Sequence, residues 1–218
     1  MLFVNFKTYE EGSGPRALAL VHALEEVSTQ TQIKIIPVVA VLDAETIATA
    51  SKLEIWVQHV DPVEYGAHTG WTLPSELARI GIHGVFLNHS EHKFEDFEAL
   101  TNAAKICQSQ NLKTLIFAAD IKELKLILKL KPDFVAYEPP ELVGSTTKSV
   151  ASEKPEIIST AAEIAKTARI PLIVGAGIHT SKDIKRSLEL GAVGFAVATN
   201  IVKAKDPKSA TMALLEGF

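Results

Sequence analysis

The strongest constraint on what this chain can fold into is a rhythm. Short runs rich in Val, Ile and Phe alternate with longer segments of helical period, at a mean step of about 27 residues across the 218. Strands are expected at 2–6, 33–39, 54–59, 84–88, 113–118, 133–137, 171–174 and 193–197. Helices are expected at 15–29, 43–52, 74–80, 94–110, 120–130, 155–168, 180–190 and 207–217. Most of the strand runs are too continuously apolar to leave one face in water, so they read as parallel strands covered on both sides. Pro15, Pro74, Pro155 and Pro207 suit first helical turns, where a missing N–H costs nothing, and Thr180 with Asp183 has the form of a capping pair. Gly81 and Gly191 follow helical segments, where a left-handed residue is often needed.

Eight strand–helix units can close as a barrel or stay open as a doubly wound sheet. An open dinucleotide-binding sheet wants a glycine-rich turn after its first strand and an acidic residue about 20 positions on. Asn5-Phe6-Lys7 occupies that turn instead. The expected fold is therefore α/β, a single (β/α)8 barrel of parallel strands over residues 1–218, with no linker or composition shift to divide it. The content of 47% hydrophobic residues is ample for its core, and a net charge of −4 lacks the basic excess of a nucleic-acid binder. No segment approaches the ~18 apolar residues of a membrane span, and no cationic leader precedes Leu2-Phe3-Val4, so the reading is soluble and cytoplasmic. The single cysteine, Cys107, continues a helical stripe with Phe97, Leu100 and Ala104 and reads as a packed thiol.

In a parallel barrel the active site is built from the loops after the strands, and the polar residues of interest fall there. Glu138 follows Phe134-Val135-Ala136-Tyr137, where partial loss of water would make its carboxylate a stronger base. His89 follows the fourth strand, where a helix N-terminus would disfavour imidazolium and leave a neutral ring able to donate to a carbonyl oxygen. Asn5 and Lys7 would share one side of the first strand if its alternation continued through Phe6, pairing a neutral donor with an ammonium that attracts an anion. Gly175-Ala176-Gly177 and Ala198-Thr199-Asn200 close the last two strands with small residues, where backbone amides can approach a phosphate. His89 and His92 raise a zinc reading, but the further ligands that such a site needs are not at hand, and no metal is expected. The stretch from Pro139 to Gly144 has the length of a lid.

The motifs Asn5-Phe6-Lys7-Thr8-Tyr9, Gln58-His59-Val60-Asp61, Gly66-Ala67-His68-Thr69-Gly70, Asn88-His89-Ser90-Glu91, Tyr137-Glu138-Pro139-Pro140-Glu141-Leu142, Gly175-Ala176-Gly177-Ile178 and Lys203-Ala204-Lys205-Asp206-Pro207 resemble, in order and essentially end to end, the triosephosphate isomerase family. The short chain is similar to its compact archaeal branch. The resemblance implies an isomerase of glycolysis and gluconeogenesis interconverting glyceraldehyde 3-phosphate and dihydroxyacetone phosphate without cofactor or metal. It implies that Glu138 moves a proton between two carbons of an enediolate, that His89 polarises the substrate oxygens, that Lys7 and Asn5 bind the anion, and that Glu91 neutralises and orients Lys7. Backbone N–H groups of Gly144, Gly177, Ala198 and Thr199 would hold the phosphate beneath a closing lid. Residues 66–70 resemble the loop by which family members reach into a neighbouring subunit, which implies a homodimer or homotetramer.

Three departures stand out. His92 occupies a position that is commonly Arg, Thr199-Asn200 stands where the compact branch usually has Ser-Gly, and Gly144 is followed by Ser145-Thr146 where a second glycine is common. Two other readings are a barrel isomerase of a phosphoribosyl compound, which the joint presence of His89 and Glu138 disfavours, and a phosphate-binding barrel that senses or assembles without catalysis.

Overall fold

The computed structural model describes residues 1–138 and 155–218. Eight strands follow one another around a closed ring: β1 (Leu2–Asn5), β2 (Ile35–Val39), β3 (Trp56–Val57), β4 (Gly84–Leu87), β5 (Lys113–Ala118), β6 (Phe134–Tyr137), β7 (Leu172–Val174) and β8 (Gly194–Val197). Every neighbouring pair is parallel, and β8 closes on β1 through the register Leu2↔Phe195, Phe3↔Ala196 and Val4↔Val197. Outside the ring lie α1 (Gly14–Thr31), α2 (Ala44–Ala50), α3 (Pro74–Arg79), α4 (Phe97–Ser109), α5 (Ile121–Ile127), α6 (Pro155–Thr167), α7 (Ser181–Glu189), the single turn α8 (Thr199–Val202) and α9 (Pro207–Leu215). The expected fold class is the observed one.

The continuous apolar runs have two destinations. Leu2, Val4, Ile35, Val39, Val85, Leu87, Ile116, Val135, Leu172 and Val174 pack outward with helix residues such as Leu24, Leu100 and Ile184. Alternate positions, Phe3, Ile36, Val38, Trp56, Phe86, Leu115, Phe117, Ala136, Ile173 and Ala196, form a second cluster drawn from strands alone, which is the barrel's interior. Its floor is aromatic: Phe3 lies 5.1 Å from Trp56 and 5.7 Å from Phe86 between ring centroids, and Trp56 lies 6.0 Å from Phe134. Gly84 makes room for that plug, because a Cβ there would sit 2.5 Å from the Trp56 ring.

The boundaries follow local chemistry. Pro15 lies in the first turn of α1, and Pro74, Pro155 and Pro207 open α3, α6 and α9. Thr180 and Asp183 form a reciprocal capping box on α7. Gly81 and Gly191 adopt φ values of 85° and 100° just past α3 and α7. Helix α4 starts at Phe97, three residues later than the periodicity predicts, because Asp96 caps it by accepting from the Ala99 N–H at 2.8 Å. Strand β3 is only two residues long, and just beyond it the Gln58 side chain donates to the Lys7 carbonyl.

Candidate active site

The inward row of each strand does not stop at the apolar layer. Two residues beyond Phe3 stands Asn5, beyond Ala136 stands Glu138, beyond Ile173 stands Gly175 and beyond Ala196 stands Ala198, and these residues line one cavity at the C-terminal mouth of the barrel. Lys7, His89, Gly177 and Thr199 line the same cavity. The residues chosen from sequence on the fourth, sixth, seventh and eighth loops thus converge with those on the first. Gly144 and the rest of the expected lid, including Pro139, Pro140 and Glu141, lie outside the described residues.

Lys7 and His89 arrive by a different route from the one expected. Strand alternation ends at Asn5, and Phe6 turns into the outer core. Lys7 then takes a left-handed backbone, φ 49°, held by its N–H donating to Asn5 Oδ1 at 3.0 Å and by its carbonyl accepting from Gln58 Nε2 at 2.8 Å. Lys7 Nζ donates to Glu91 Oε1 at 2.6 Å. At the end of β4 Asn88 is likewise left-handed, φ 60°, a conformation that Asn tolerates. Its Nδ2 donates to the Phe117 carbonyl at 3.0 Å and to Glu123 Oε1 at 2.8 Å. That kink turns His89, the next residue, into the cavity.

Among the described residues no helix starts beside His89, since α4 begins at Phe97. The control on the ring is instead a backbone amide: Glu91 N–H donates to His89 Nδ1 at 3.2 Å, which places the proton of the neutral ring on Nε2. The ring stands edge to face on Phe117 at 4.8 Å. His89 Nε2 lies 3.7 Å from Glu138 Oε1, while Glu138 Oε2 accepts from Ser90 Oγ at 2.7 Å. Glu138 is 5% exposed and His89 9%. Gly175 faces them closely, for a Cβ there would approach Phe117 to 3.2 Å and Glu138 Oε1 to 3.4 Å. The assembly combines a buried carboxylate, a ring N–H and an ammonium around one space, which suits moving a proton next to an oxygen that gains negative charge.

Two of the departures acquire places. His92 stacks on His59 at 3.9 Å with 21° between planes, in a neighbouring cavity shared with Asn5, Lys7, Thr8 and Tyr9. Burial first, and then the nearby His92, lower the pKa of His59, against the opposing pull of Asp61. Thr199 Oγ1 and the Tyr9 hydroxyl are 3.0 Å apart, joining the first and last loops. Cys107 is fully buried on α4, as its stripe predicts, and burial pushes its thiol up to about 12.

Sequence reasoning missed Ser90 as the partner of Glu138, Gln58 as the brace of Lys7, and His179, which lines the cavity beside Asn200. Their polarity at strand ends was the available signal, but a hydroxyl, an amide or an imidazole in a loop is usually a local satisfier.

The sequence matches the family model described as triosephosphate isomerase over residues 1–216. It is 35% identical over 217 residues to a triosephosphate isomerase of Methanobrevibacter smithii, covering 99% of this chain and 97% of that one. It is 35% identical over 215 residues to that of Thermoplasma volcanium, covering 99% of both, and 36% identical over 217 residues to that of Methanobacterium bryantii, covering 99% and 95%. The fold superposes on a crystal structure of triosephosphate isomerase from Bartonella henselae with a TM-score of 0.75 at 16% identity, over 96% of each chain.

Proposed function

The chain belongs to the triosephosphate isomerase family, and on that footing we propose how its own residues interconvert glyceraldehyde 3-phosphate and dihydroxyacetone phosphate, a step of glycolysis and gluconeogenesis. Glu138 takes a proton from the carbon beside the substrate carbonyl and returns it to the neighbouring carbon. His89 donates its Nε2–H to the oxygen on which enediolate charge builds, and the hydroxyl proton passes from one enediolate oxygen to the other, so that carbonyl and hydroxyl exchange places. Lys7, oriented by Glu91, and Asn5 bind the anion, while the backbone N–H groups of Gly144, Gly177, Ala198 and Thr199 grip the phosphate. The observation that carries this reading is the 3.7 Å approach of His89 Nε2 to Glu138 Oε1 in a cavity that Lys7 also lines.

The test is a coupled isomerase assay on wild type and Glu138→Asp. Shortening the side chain withdraws its oxygens by about one C–C bond, and a misplacement of ~1 Å costs on the order of 100-fold, so kcat should fall at least that far. Unchanged turnover removes Glu138 from the proton transfer. A wild-type protein that binds phosphate but converts neither triose phosphate favours the barrel without catalysis.

A homo-oligomer, at least a dimer, is the matching proposal for assembly. Tyr65 and Trp71, 69% and 50% exposed, flank residues 66–70 on the long loop after β3, and the cavity lined by Lys7, Gln58, His59, Glu91 and His92 offers a seat for such a loop from a neighbour. Sedimentation as a monomer at micromolar concentration would exclude it. No helix among the described residues is long and apolar enough to cross a membrane. A cytoplasmic location is proposed from the glycolytic role, and recovery of the chain with the membrane fraction of lysed cells would overturn it.

A further inference from the structure

A carboxylate that does not line the cavity holds both ends of the turn that serves it. Asn88 and Lys93 bracket that turn, which is closed by the His92 N–H donating to the His89 carbonyl at 2.8 Å. Within it His89 presents its ring to the cavity, Ser90 Oγ donates to Glu138 Oε2 at 2.7 Å, and Glu91 Oε1 accepts from Lys7 Nζ at 2.6 Å. At the near end Asn88 Nδ2 donates to Glu123 Oε1 at 2.8 Å, and at the far end Lys93 Nζ lies 2.9 and 3.0 Å from the two Glu123 oxygens. Glu123 stands in the first turn of α5, where its own N–H donates to Oδ1 of the N-cap Asp120 at 2.7 Å. A glutamate three residues after such a cap ordinarily reaches back to the cap's own N–H. Here Oε2 accepts from the Ala119 N–H at 2.7 Å, one residue earlier, and Oε1 is turned to the loop after β4.

We propose that Glu123 is a positioning residue for the isomerase reaction: it fixes the left-handed backbone of Asn88 and, through it, the direction in which the His89 ring enters the cavity. The inference rests on the isomerase reading and deepens it. Asn88 is buried with φ 60°, a backbone that any side chain adopts at a cost and keeps only where its surroundings impose it. Both hydrogens of its amide are committed to that task, one to the Phe117 carbonyl at 3.0 Å and one to Glu123. Each of these partners can only accept, so it is the nitrogen of the amide that faces them. A hydrogen bond to a carboxylate is about twice as strong as one to a neutral oxygen, which makes Glu123 the firmer of the two holds. The Lys93 contact ties down the other end of the turn, so one side chain on α5 governs where His89, Ser90 and Glu91 stand.

His89 meets charge that builds only in the transition state, so a ring turned off line should cost kcat and leave binding nearly unchanged. Glu123→Ala should lower kcat for glyceraldehyde 3-phosphate at least about tenfold, since a misplacement of ~1 Å costs on the order of 100-fold. KM, and the dissociation constant of inorganic phosphate read by calorimetry, should stay within about threefold of wild type. Asn88→Gly, which permits the left-handed backbone but removes the tether, should lose kcat by a similar factor, and the double variant little more than either. The ring itself can be read by nitrogen NMR of labelled histidine, with the His89 signals assigned by their absence from His89→Gln. Wild type should show a bare Nδ1 and a protonated Nε2, and both single variants should draw the two signals together as the Glu91 N–H loses its grip on Nδ1. A folded Glu123→Ala whose kcat stays within about twofold of wild type, or whose His89 signals do not move, overturns the proposal. So does a double variant whose loss is the product of the single losses, or a rise in KM and in the phosphate constant that matches the fall in kcat, for Glu123 would then be a general support of the cavity. Should Glu123→Ala fail to fold, Asn88→Gly cuts the same bond and decides by the same readings. If wild type converts neither triose phosphate, the isomerase reading falls, and the His89 signals alone decide whether Glu123 directs the ring.

Discussion

The floor and the mouth of this barrel are made by the same strands and hold opposite contents. At the floor Phe3, Trp56, Phe86 and Phe134 interlock, with Gly84 leaving the volume that the Trp56 ring fills. At the mouth the same inward rows end in Asn5, Glu138, Gly175 and Ala198, and two left-handed residues, Lys7 and Asn88, break strand geometry to bring an ammonium and an imidazole into the cavity. The floor is ordered by volume and the mouth by hydrogen-bond direction. A change at either end should therefore disturb a different observable.

The largest separation is expected from Glu138→Asp at the mouth. Its loss of at least about 100-fold in kcat should come with a denaturation midpoint close to that of wild type, since the residue serves the cavity and no apolar packing is removed. A midpoint that drops steeply would make Glu138 a structural member of the mouth and blur the contrast. Gly84→Ala is the reverse experiment at the floor. The added methyl must displace the Trp56 ring, so the protein should lose about 1–3 kcal/mol of stability in urea titration while the folded enzyme keeps its kcat. A fall in kcat at full folding would mean that the aromatic plug transmits strain to the mouth.

The smallest effect tests whether the apolar layer between strands and helices excludes a charge that the mouth admits. Cys107 has its pKa raised by burial from 9.0 to about 12. A group raised on folding contributes its full stabilisation below its unfolded value and loses it as pH rises toward the folded one, so the window here is pH 9 to 12. Between pH 8 and pH 10 wild type should lose about 1 kcal/mol more stability than Cys107→Ala. Parallel curves would show that the thiolate is accommodated after all.

Much of the fold could be read along the chain because a parallel barrel repeats one unit, and each unit announces itself by an apolar run, a proline at a helix start or a glycine past a helix end. Boundaries were legible where one side chain decides them, as Thr180 and Asp183 do on α7, and drifted where a cap overrode periodicity, as Asp96 does on α4. The candidate site was legible as a set of strand-end residues. Its details were not: the neutral ring of His89 owes its proton placement to the Glu91 backbone amide, where a helix N-terminus was expected. The partners Ser90 of Glu138 and Gln58 of Lys7 also escaped, because each bond joins residues from different units.

Sequence alone determined the eight-unit rhythm, the burial of both strand faces and the types of chemical group available at the strand ends, because period and polarity are local properties of the chain. Only the tertiary structure decided which of those groups meet, in what tautomer and across what distance. Closing the ring sets side chains as far apart in sequence as Lys7, Glu91 and Glu138 around one cavity, and the direction of each hydrogen bond there depends on backbone turns, at Lys7 and Asn88, that hydrophobic patterning does not encode.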